Sequence, residues 1–167
     1  SSLYNNSVYC VYKDTRNFLW VGTLGNGLQK FNPVTGLFET KKLYFVPKDR
    51  ENSIGISHIT EDDNNNLLLT TAGNGKVIIF NTLSETYNLF DLNELLKPES
   101  KITQINYSYY DRSNILWVGT WNTGLVKFNL NRNNFTNYTL PEDGTSIKNA
   151  KDVWSIYEDK NGILWIS

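Results

Sequence analysis

One hexapeptide recurs through the sequence at a nearly constant interval. Residues 18–23 read Phe-Leu-Trp-Val-Gly-Thr, residues 115–120 read Ile-Leu-Trp-Val-Gly-Thr, and residues 163–166 begin another copy. A weaker copy, Asn-Leu-Leu-Leu-Thr-Thr, occupies residues 66–71, and the steps between successive tryptophan positions are 48, 49 and 48 residues. Such a period indicates a repeat fold in which each unit packs on the next. The positions expected to make that packing are Trp20, Leu68, Trp117 and Trp165.

Turn-forming residues divide each repeat into short strands. Three residues before the tryptophan position stands an asparagine or a glycine, which readily adopts positive φ and predicts a hairpin turn. Six residues before it stands an aspartate, which we interpret as a cap for the turn rather than as part of a metal or acid–base site. A second turn signal, such as Gly25-Asn26-Gly27, follows the tryptophan strand. The capping aspartates are Asp14, Asp62, Asp111 and Asp159.

The apolar runs favour sheets that are covered on both faces. Residues 67–69 and 77–80 are apolar without polar alternation, and stacked four-stranded sheets of this kind form β-propellers. We therefore predict an all-β fold of four-stranded antiparallel β-propeller blades, an incomplete propeller of about three and a half blades. One extra residue before Phe80 predicts a bulge or a longer turn, and leucine spacing predicts a helical turn from Asp91 to Lys97. The predicted blades span residues 3–46 (blade 1), 54–91 (blade 2), 102–140 (blade 3) and 147–167 (half blade 4), separated by linkers at about 47–54 and 141–147.

Composition excludes several classes of function. With a net charge of -1 and no basic stripe, the chain is not expected to bind nucleic acid. No apolar run approaches the roughly 18 residues of a membrane span, so this segment should not contact a membrane. The single cysteine, Cys10, and the single histidine, His58, supply neither a disulfide nor a catalytic triad nor a metal cluster. We expect no catalytic residue, no metal and no cofactor.

Residues 153–166, Val-Trp-Ser-Ile-Tyr-Glu-Asp-Lys-Asn-Gly-Ile-Leu-Trp-Ile, together with the Gly-Thr step and Gly-Leu-Val-Lys-Phe-Asn at 124–129, resemble the two-component-regulator propeller repeat. The resemblance covers essentially the whole chain, although the second copy departs from it with Leu68 and Thr70. It implies the periplasmic sensor region of a Bacteroides-type hybrid two-component histidine kinase anchored in the inner membrane. Such proteins regulate transcription of polysaccharide-utilisation genes, so an oligosaccharide ligand is implied. The remaining blades of a parent propeller and a kinase elsewhere in it are implied as well.

Two tryptophans do not follow the repeat. The counterparts of Trp121 are Leu24 and Ala72, and those of Trp154 are tyrosine, serine and asparagine. Sugar recognition favours aromatic faces beside amide and charged groups, so these positions are the best local candidates for a ligand site. The candidate ligand-binding residues are Trp121, Asn122, Arg112, Arg16 and Trp154.

The terminal repeats predict self-association of the fragment. An open arc of blades exposes apolar faces and an unpaired strand edge, which seek a partner. Two alternatives to the sensor function stay open at this point: a structural or protein-interaction propeller, and, with less support, a propeller lyase or hydrolase.

Overall fold

The computed structural model describes residues 3, 6–43, 55–96, 101–130, 134–138 and 152–167. The chain divides into two compact units, one of Ser1–Ala72 with Val77–Phe90 and one of Gly73–Lys76 with Asp91–Ser167. The predicted linkers at about 47–54 and 141–147 lie outside the described residues.

The first unit contains one four-stranded antiparallel sheet and most of a second. The first sheet is formed by β1 (Val8–Lys13), β2 (Leu19–Thr23), β3 (Gly27–Asn32) and β4 (Leu37–Lys41), paired in chain order. The second sheet is formed in the same order by β5 (Gly55–Glu61), β6 (Asn66–Ala72), β7 (Lys76–Asn81) and β8 (Tyr87–Asp91).

The second unit contains α1 (Leu92–Leu95) and the remaining strands. A third four-stranded sheet is formed by β9 (Ile105–Tyr110), β10 (Ile115–Thr120), β11 (Leu125–Asn129) and β12 (Asn134–Tyr138). A two-stranded sheet is formed by β13 (Ile156–Glu158) and β14 (Leu164–Ile166). We call this pair of strands, with the segment 152–155 that leads into it, the half blade.

The predicted turns are present where the sequence signals them. Asn17, Asn65 and Asn114 have φ of 67°, 60° and 62°, and Gly162 has φ of 80°. The extra residue of the second repeat lies in a longer turn rather than in a bulge, because Thr70 pairs with Val77 across six residues whereas Gly22 pairs with Leu28 across five. The predicted helical turn is shorter than expected, with Asp91 as its N-cap and Lys97 outside the described residues.

Both faces of the second sheet are buried at β6. Leu67, Leu68 and Leu69 are all fully buried, so consecutive side chains on opposite faces of β6 both meet protein. The core that joins the first two sheets includes Trp20, which meets Phe80 edge to face at 6.0 Å between ring centroids. Burial of this kind explains the absence of polar alternation in the sequence.

The glycine of the hexapeptide permits close approach of the following repeat. A Cβ at Gly22 would lie 2.5 Å from Cys10 Sγ and 2.8 Å from the carbonyl oxygen of Ile56. A Cβ at Gly119 would lie 2.6 Å from Val153 Cγ1. In both places the second strand of one repeat meets the start of the next repeat, at β5 for Gly22 and at the segment before β13 for Gly119, and any larger residue would force the two apart.

Candidate functional site

The recurring aspartates cap their hairpins and also hold the recurring tryptophans. Asp14 is buried; its Oδ1 accepts hydrogen bonds from the backbone N–H of Arg16 and Phe18, and its Oδ2 accepts one from Trp20 Nε1 at 2.9 Å. The same indole bond joins Trp117 to Asp111 at 2.7 Å and Trp165 to Asp159 at 3.1 Å. Aspartate and tryptophan therefore form one structural unit in each of these three hairpins, in which the indole N–H is already hydrogen-bonded.

The second repeat keeps the aspartate without the tryptophan. Leu68 has no indole, and Asp62 Oδ2 instead accepts a hydrogen bond from Asn66 Nδ2 at 2.9 Å. Asn66 in turn accepts one from Asn81 Nδ2 at 3.0 Å. The position of Asn66 is apolar in the other repeats, so the amide replaces the indole as a donor to the capping carboxylate.

The non-recurring tryptophans lie together in the second unit. Trp121 follows β10 and Trp154 leads into β13, and their rings meet edge to face with 4.9 Å between centroids and an interplanar angle of 72°. Exposed fractions of 43% for Trp121 and 56% for Trp154 leave much of both rings accessible to solvent. We call this pair the tryptophan corner.

Backbone hydrogen bonds fix both halves of the tryptophan corner. The N–H of Trp121 donates to the carbonyl of Gln104 at 3.0 Å, and the N–H of Val153 donates to that of Thr120 at 2.8 Å. The N–H of Trp154 donates to Ser167 at 2.7 Å. Two exposed aromatic rings are thus held on rigid backbone, which lowers the entropic cost of ligand binding.

Asn122 anchors the turn that carries Trp121. Its Oδ1 accepts hydrogen bonds from the backbone N–H and the hydroxyl of Thr103 at 3.3 and 3.0 Å. Its Nδ2 donates to the carbonyl of Lys101 at 3.1 Å, and the hydroxyl of Thr123 donates to the same carbonyl at 3.4 Å. The amide of Asn122 is therefore occupied within the protein, and its role is to position Trp121.

The two arginines do not join the tryptophan corner. Arg112 lies in the hairpin before β10, at the opposite end of that strand from Trp121, with its Nε 3.7 Å from Glu158 Oε1. Arg16 belongs to the first unit, where its guanidinium donates to Thr82 Oγ1 and lies over the ring of Phe18 at 5.7 Å. Of the five candidate residues, the structure brings together Trp121, Asn122 and Trp154.

The histidine and the cysteine lie in the first unit and are partly buried. Burial lowers the pKa of His58 to about 4 and raises the pKa of Cys10 to about 12, so His58 is neutral and Cys10 is a thiol near neutral pH. Among the described residues, no three His, Cys, Asp or Glu side chains are grouped as metal ligands. The chemistry available at the tryptophan corner is aromatic stacking and hydrogen bonding rather than proton transfer.

Comparison with known proteins gives a family match at two stretches of the chain. Residues 5–25 and 147–167 match the family described as the two component regulator propeller, which confirms the predicted resemblance. A search of curated proteins gives no match.

Solved structures confirm the predicted all-β, propeller-blade fold class. The extracellular domains of two proteins assigned as hybrid two component systems of B. thetaiotaomicron match with TM-scores of 0.76 each, at 23% and 20% identity over 99% and 98% of this chain. The chain covers 22% and 20% of those structures, about a fifth of their length. Virginiamycin B lyase from Staphylococcus aureus matches with a TM-score of 0.71 at 14% identity, over 95% of this chain and 48% of the lyase. In the described part of the chain, no helix combines the length and the apolar character needed to span a bilayer.

Proposed function

Because the chain carries the two-component-regulator propeller repeat, we propose that it is a segment of the extracytoplasmic sensor domain of a hybrid two-component histidine kinase. Extracellular domains assigned to such systems share its fold, which supports this placement. The segment binds a signal and contributes no catalysis of its own, and the kinase that the signal controls lies elsewhere in the parent protein. In that setting the segment lies in the periplasm, and its output is transcription of polysaccharide-utilisation genes.

The ligand is an oligosaccharide, and its site is the tryptophan corner. The observation that carries this proposal is the pair of exposed, rigidly mounted indole rings that no other repeat has. A pyranose ring presents an apolar face of C–H groups that stacks on an aromatic face, while its hydroxyls bond to nearby polar groups. Backbone hydrogen bonds hold the main chain that carries both rings, so little backbone ordering is needed on binding.

Ligand binding at this corner would bias the contact between two repeats. Trp121 belongs to blade 3 and Trp154 to the half blade, so a sugar that touches both rings favours the arrangement in which they are close. A ligand shifts a conformational equilibrium by its difference in affinity between two states, and this bridging contact supplies such a difference.

Isothermal titration calorimetry tests the site. The titrants are defined oligosaccharides of two to eight units prepared from starch, xylan, arabinan, pectin and glycosaminoglycans. Trp121→Ala and Trp154→Ala should each weaken binding of the active sugar by at least about tenfold, since exposed aromatic stacking contributes on the order of 1.4 kcal/mol or more.

Matched controls come from the same positions of the first repeat. Leu24 and Tyr9 occupy the places of Trp121 and Trp154, and both are exposed. Leu24→Ala and Tyr9→Ala should leave the affinity unchanged. Equal losses in all four variants would contradict the assignment of the site, and absence of binding across the panel would contradict the ligand class.

The sensor assignment has an independent test in the parent reading frame. We expect further copies of the repeat, an apolar span of about 20 residues and a kinase region. A parent without a kinase would leave a structural or protein-interaction propeller as the better description.

The lyase alternative has weak support from the structure. The fold similarity to the lyase is at 14% sequence identity, and the sole histidine of the sequence is partly buried in the first unit, with its pKa lowered to about 4. An imidazole with so low a pKa is a weak general base near neutral pH. Incubation with virginiamycin B should therefore leave that compound intact.

A further inference from the structure

Two cations of the first unit lie over one aromatic ring. Lys30 Nζ is 3.5 Å from the centroid of the Phe18 ring, and Arg16 Cζ is 5.7 Å from the same centroid. Lys30 Nζ is also 5.2 Å from the ring centroid of Trp20. An aromatic ring attracts a cation through its quadrupole but carries no net charge, so it holds these side chains without neutralising them. We call Arg16 and Lys30 the cation pair.

The cation pair lies where the first sheet meets the second sheet. Lys30 pairs with Trp20 across β2 and β3, so their side chains share one face of the first sheet. On that face Trp20 meets Phe80 of β7. The guanidinium of Arg16 donates to Thr82 Oγ1, in the turn between β7 and β8. The cation pair is therefore at a junction inside one compact unit.

Lys41 binds two carboxylates of this junction. Its Nζ is 3.0 Å from Glu39 Oε1 and 2.5 Å from Glu85 Oε1, and Lys41 is buried. Lys30 lies opposite Glu39 in the pairing of β3 with β4, yet it makes no ion pair with any described residue. Lys30 is thus held by aromatic rings and not by a carboxylate from the described part of the chain.

Arg16 has hydrogen-bonding capacity to spare. The carboxylate oxygen Asp14 Oδ2, 3.9 Å from Arg16 Nη2, already accepts the indole hydrogen bond of Trp20. The Nε of Arg16 is buried and has no hydrogen-bond partner among the described residues. Exposed fractions of 27% for the Arg16 side chain and 36% for Phe18 leave the cation pair open to solvent.

The charges around Lys30 favour an added anion. Its pKa lies below the usual range for lysine, first because of partial burial and next because of the positive charge of Lys41, and Arg16 acts in the same direction. Asp14 and Glu39 act in the opposite direction and do not reverse the shift. An anion beside the ammonium would offset the repulsion between the cations.

The third repeat has the lysine without the rest of this arrangement. Lys127 holds the place of Lys30 and lies 5.4 Å from the ring centroid of Trp117. Ser113 and Ile115 stand where the first repeat has the arginine and the phenylalanine. Lys127 is therefore a matched lysine that lacks a second cation at the same place in its repeat.

We propose that the cation pair binds a tetrahedral oxyanion of the sulfate and phosphate class. Its oxygens accept hydrogen bonds from the ammonium of Lys30 and the guanidinium of Arg16, and charge-assisted bonds of this kind are stronger than neutral ones. The same chemistry serves an inorganic ion and a sulfate ester on a sugar. The inference is independent of the tryptophan corner, which belongs to the other compact unit.

Titration followed in two-dimensional ¹H–¹⁵N spectra tests this site. Sodium sulfate replaces sodium chloride at constant ionic strength, and the backbone N–H signal of Phe18 reports binding. That signal should shift with saturation in the low millimolar range. Glucose 6-sulfate, titrated in the same way, separates the two sources: tighter binding than that of sulfate indicates a sugar ester, and equal or weaker binding indicates the inorganic ion.

Three variants make the test specific. Lys30→Gln and Arg16→Gln should each weaken sulfate binding at least about fivefold, because each removes one charge-assisted hydrogen bond. Lys127→Gln should leave the affinity unchanged, and a dispersed amide spectrum shows that each variant is folded. The proposal is overturned if the Phe18 signal does not saturate, if neither Lys30→Gln nor Arg16→Gln weakens binding, or if Lys127→Gln weakens it as much as Lys30→Gln.

Discussion

The five tryptophans fall into two groups that the repeat itself separates. Trp20, Trp117 and Trp165 recur with the period, and each donates its indole N–H to the aspartate six residues before it. Trp121 and Trp154 occur once each and pair with one another at an exposed corner. Recurrence therefore marks the tryptophans that build the repeat, and the two tryptophans that depart from it are those we propose for binding.

Among the recurring tryptophans, the indole–carboxylate bond is made within one hairpin, whereas burial of the ring depends on the following repeat. The indole–carboxylate distance is 2.9 Å for Trp20 and 3.1 Å for Trp165, although one ring is buried and the other exposed. The hairpin thus closes without help from a neighbour, and the following repeat supplies the burial. Trp117, followed by only the two described strands of the half blade, has intermediate exposure.

The largest expected effect on stability is that of removing the buried member of the recurring tryptophans, and the exposed member provides the comparison. Trp20→Ala should lower the free energy of unfolding by about 3–5 kcal/mol, because it removes a large buried side chain and leaves a cavity. Trp165→Ala should lower the free energy of unfolding by much less, since most of that ring is already in contact with water. Urea denaturation followed by circular dichroism measures both, and equal losses would contradict the role of the following repeat.

His58 tests whether a partly buried side chain outside the repeat pattern contributes to stability. Its pKa falls from 6.5 to about 4 on burial, so between these values the unfolded chain binds a proton that the folded chain does not. Stability should therefore decrease as the pH falls from 6.5 to 4, by up to about 3 kcal/mol from this residue alone. His58→Gln should lack this component of the pH dependence in urea denaturation at pH 4 to 8. Identical pH profiles for the two proteins would contradict the assignment.

Loss of the capping aspartate should lower the free energy of unfolding by less than loss of the buried ring that it holds. Asp14→Asn replaces a carboxylate that accepts three hydrogen bonds, and the loss should be about 1–3 kcal/mol. Asp159→Asn, in the exposed hairpin of the half blade, provides the comparison and should show a smaller decrease in thermal midpoint. A larger decrease for Asp159 would show that the aspartates act through something other than the buried hairpin.

The smallest effect on stability is expected at the tryptophan corner. Trp121→Ala should change the free energy of unfolding by less than about 1 kcal/mol, because 43% of the residue is exposed and its ring meets Trp154 in one edge-to-face pair. A loss of stability as large as that of Trp20→Ala would show that Trp121 is part of the repeat core. The recurring and non-recurring tryptophans would then not differ in role.

The period of the sequence predicted much of the fold because each repeat signals its own turns. Asparagine at the left-handed position, aspartate three residues before it and the apolar strands are all local features that a single repeat carries. The indole–aspartate bond was not predicted, although its signal was present: aspartate and tryptophan recur together, and where Leu68 replaces the indole, Asn66 supplies an amide.

Contacts between repeats were harder to predict. The close approaches at Gly22 and Gly119 depend on how one repeat meets the next, which a local pattern does not encode. The grouping of Arg112 with Trp121 ignored strand direction, since consecutive turns of an antiparallel sheet lie at opposite ends of the strand between them. Arg16 was grouped by its hairpin position alone, and the structure places it in the other compact unit.

The most direct test of the binding account observes all five indole N–H groups at once. A two-dimensional ¹H–¹⁵N spectrum resolves one indole signal for each tryptophan, and titration with the sugar that binds in calorimetry shows which rings respond. The account predicts that the signals of Trp121 and Trp154 shift with the titration while those of Trp20, Trp117 and Trp165 stay in place. Shifts confined to the recurring tryptophans, with Trp121 and Trp154 unchanged, would contradict it.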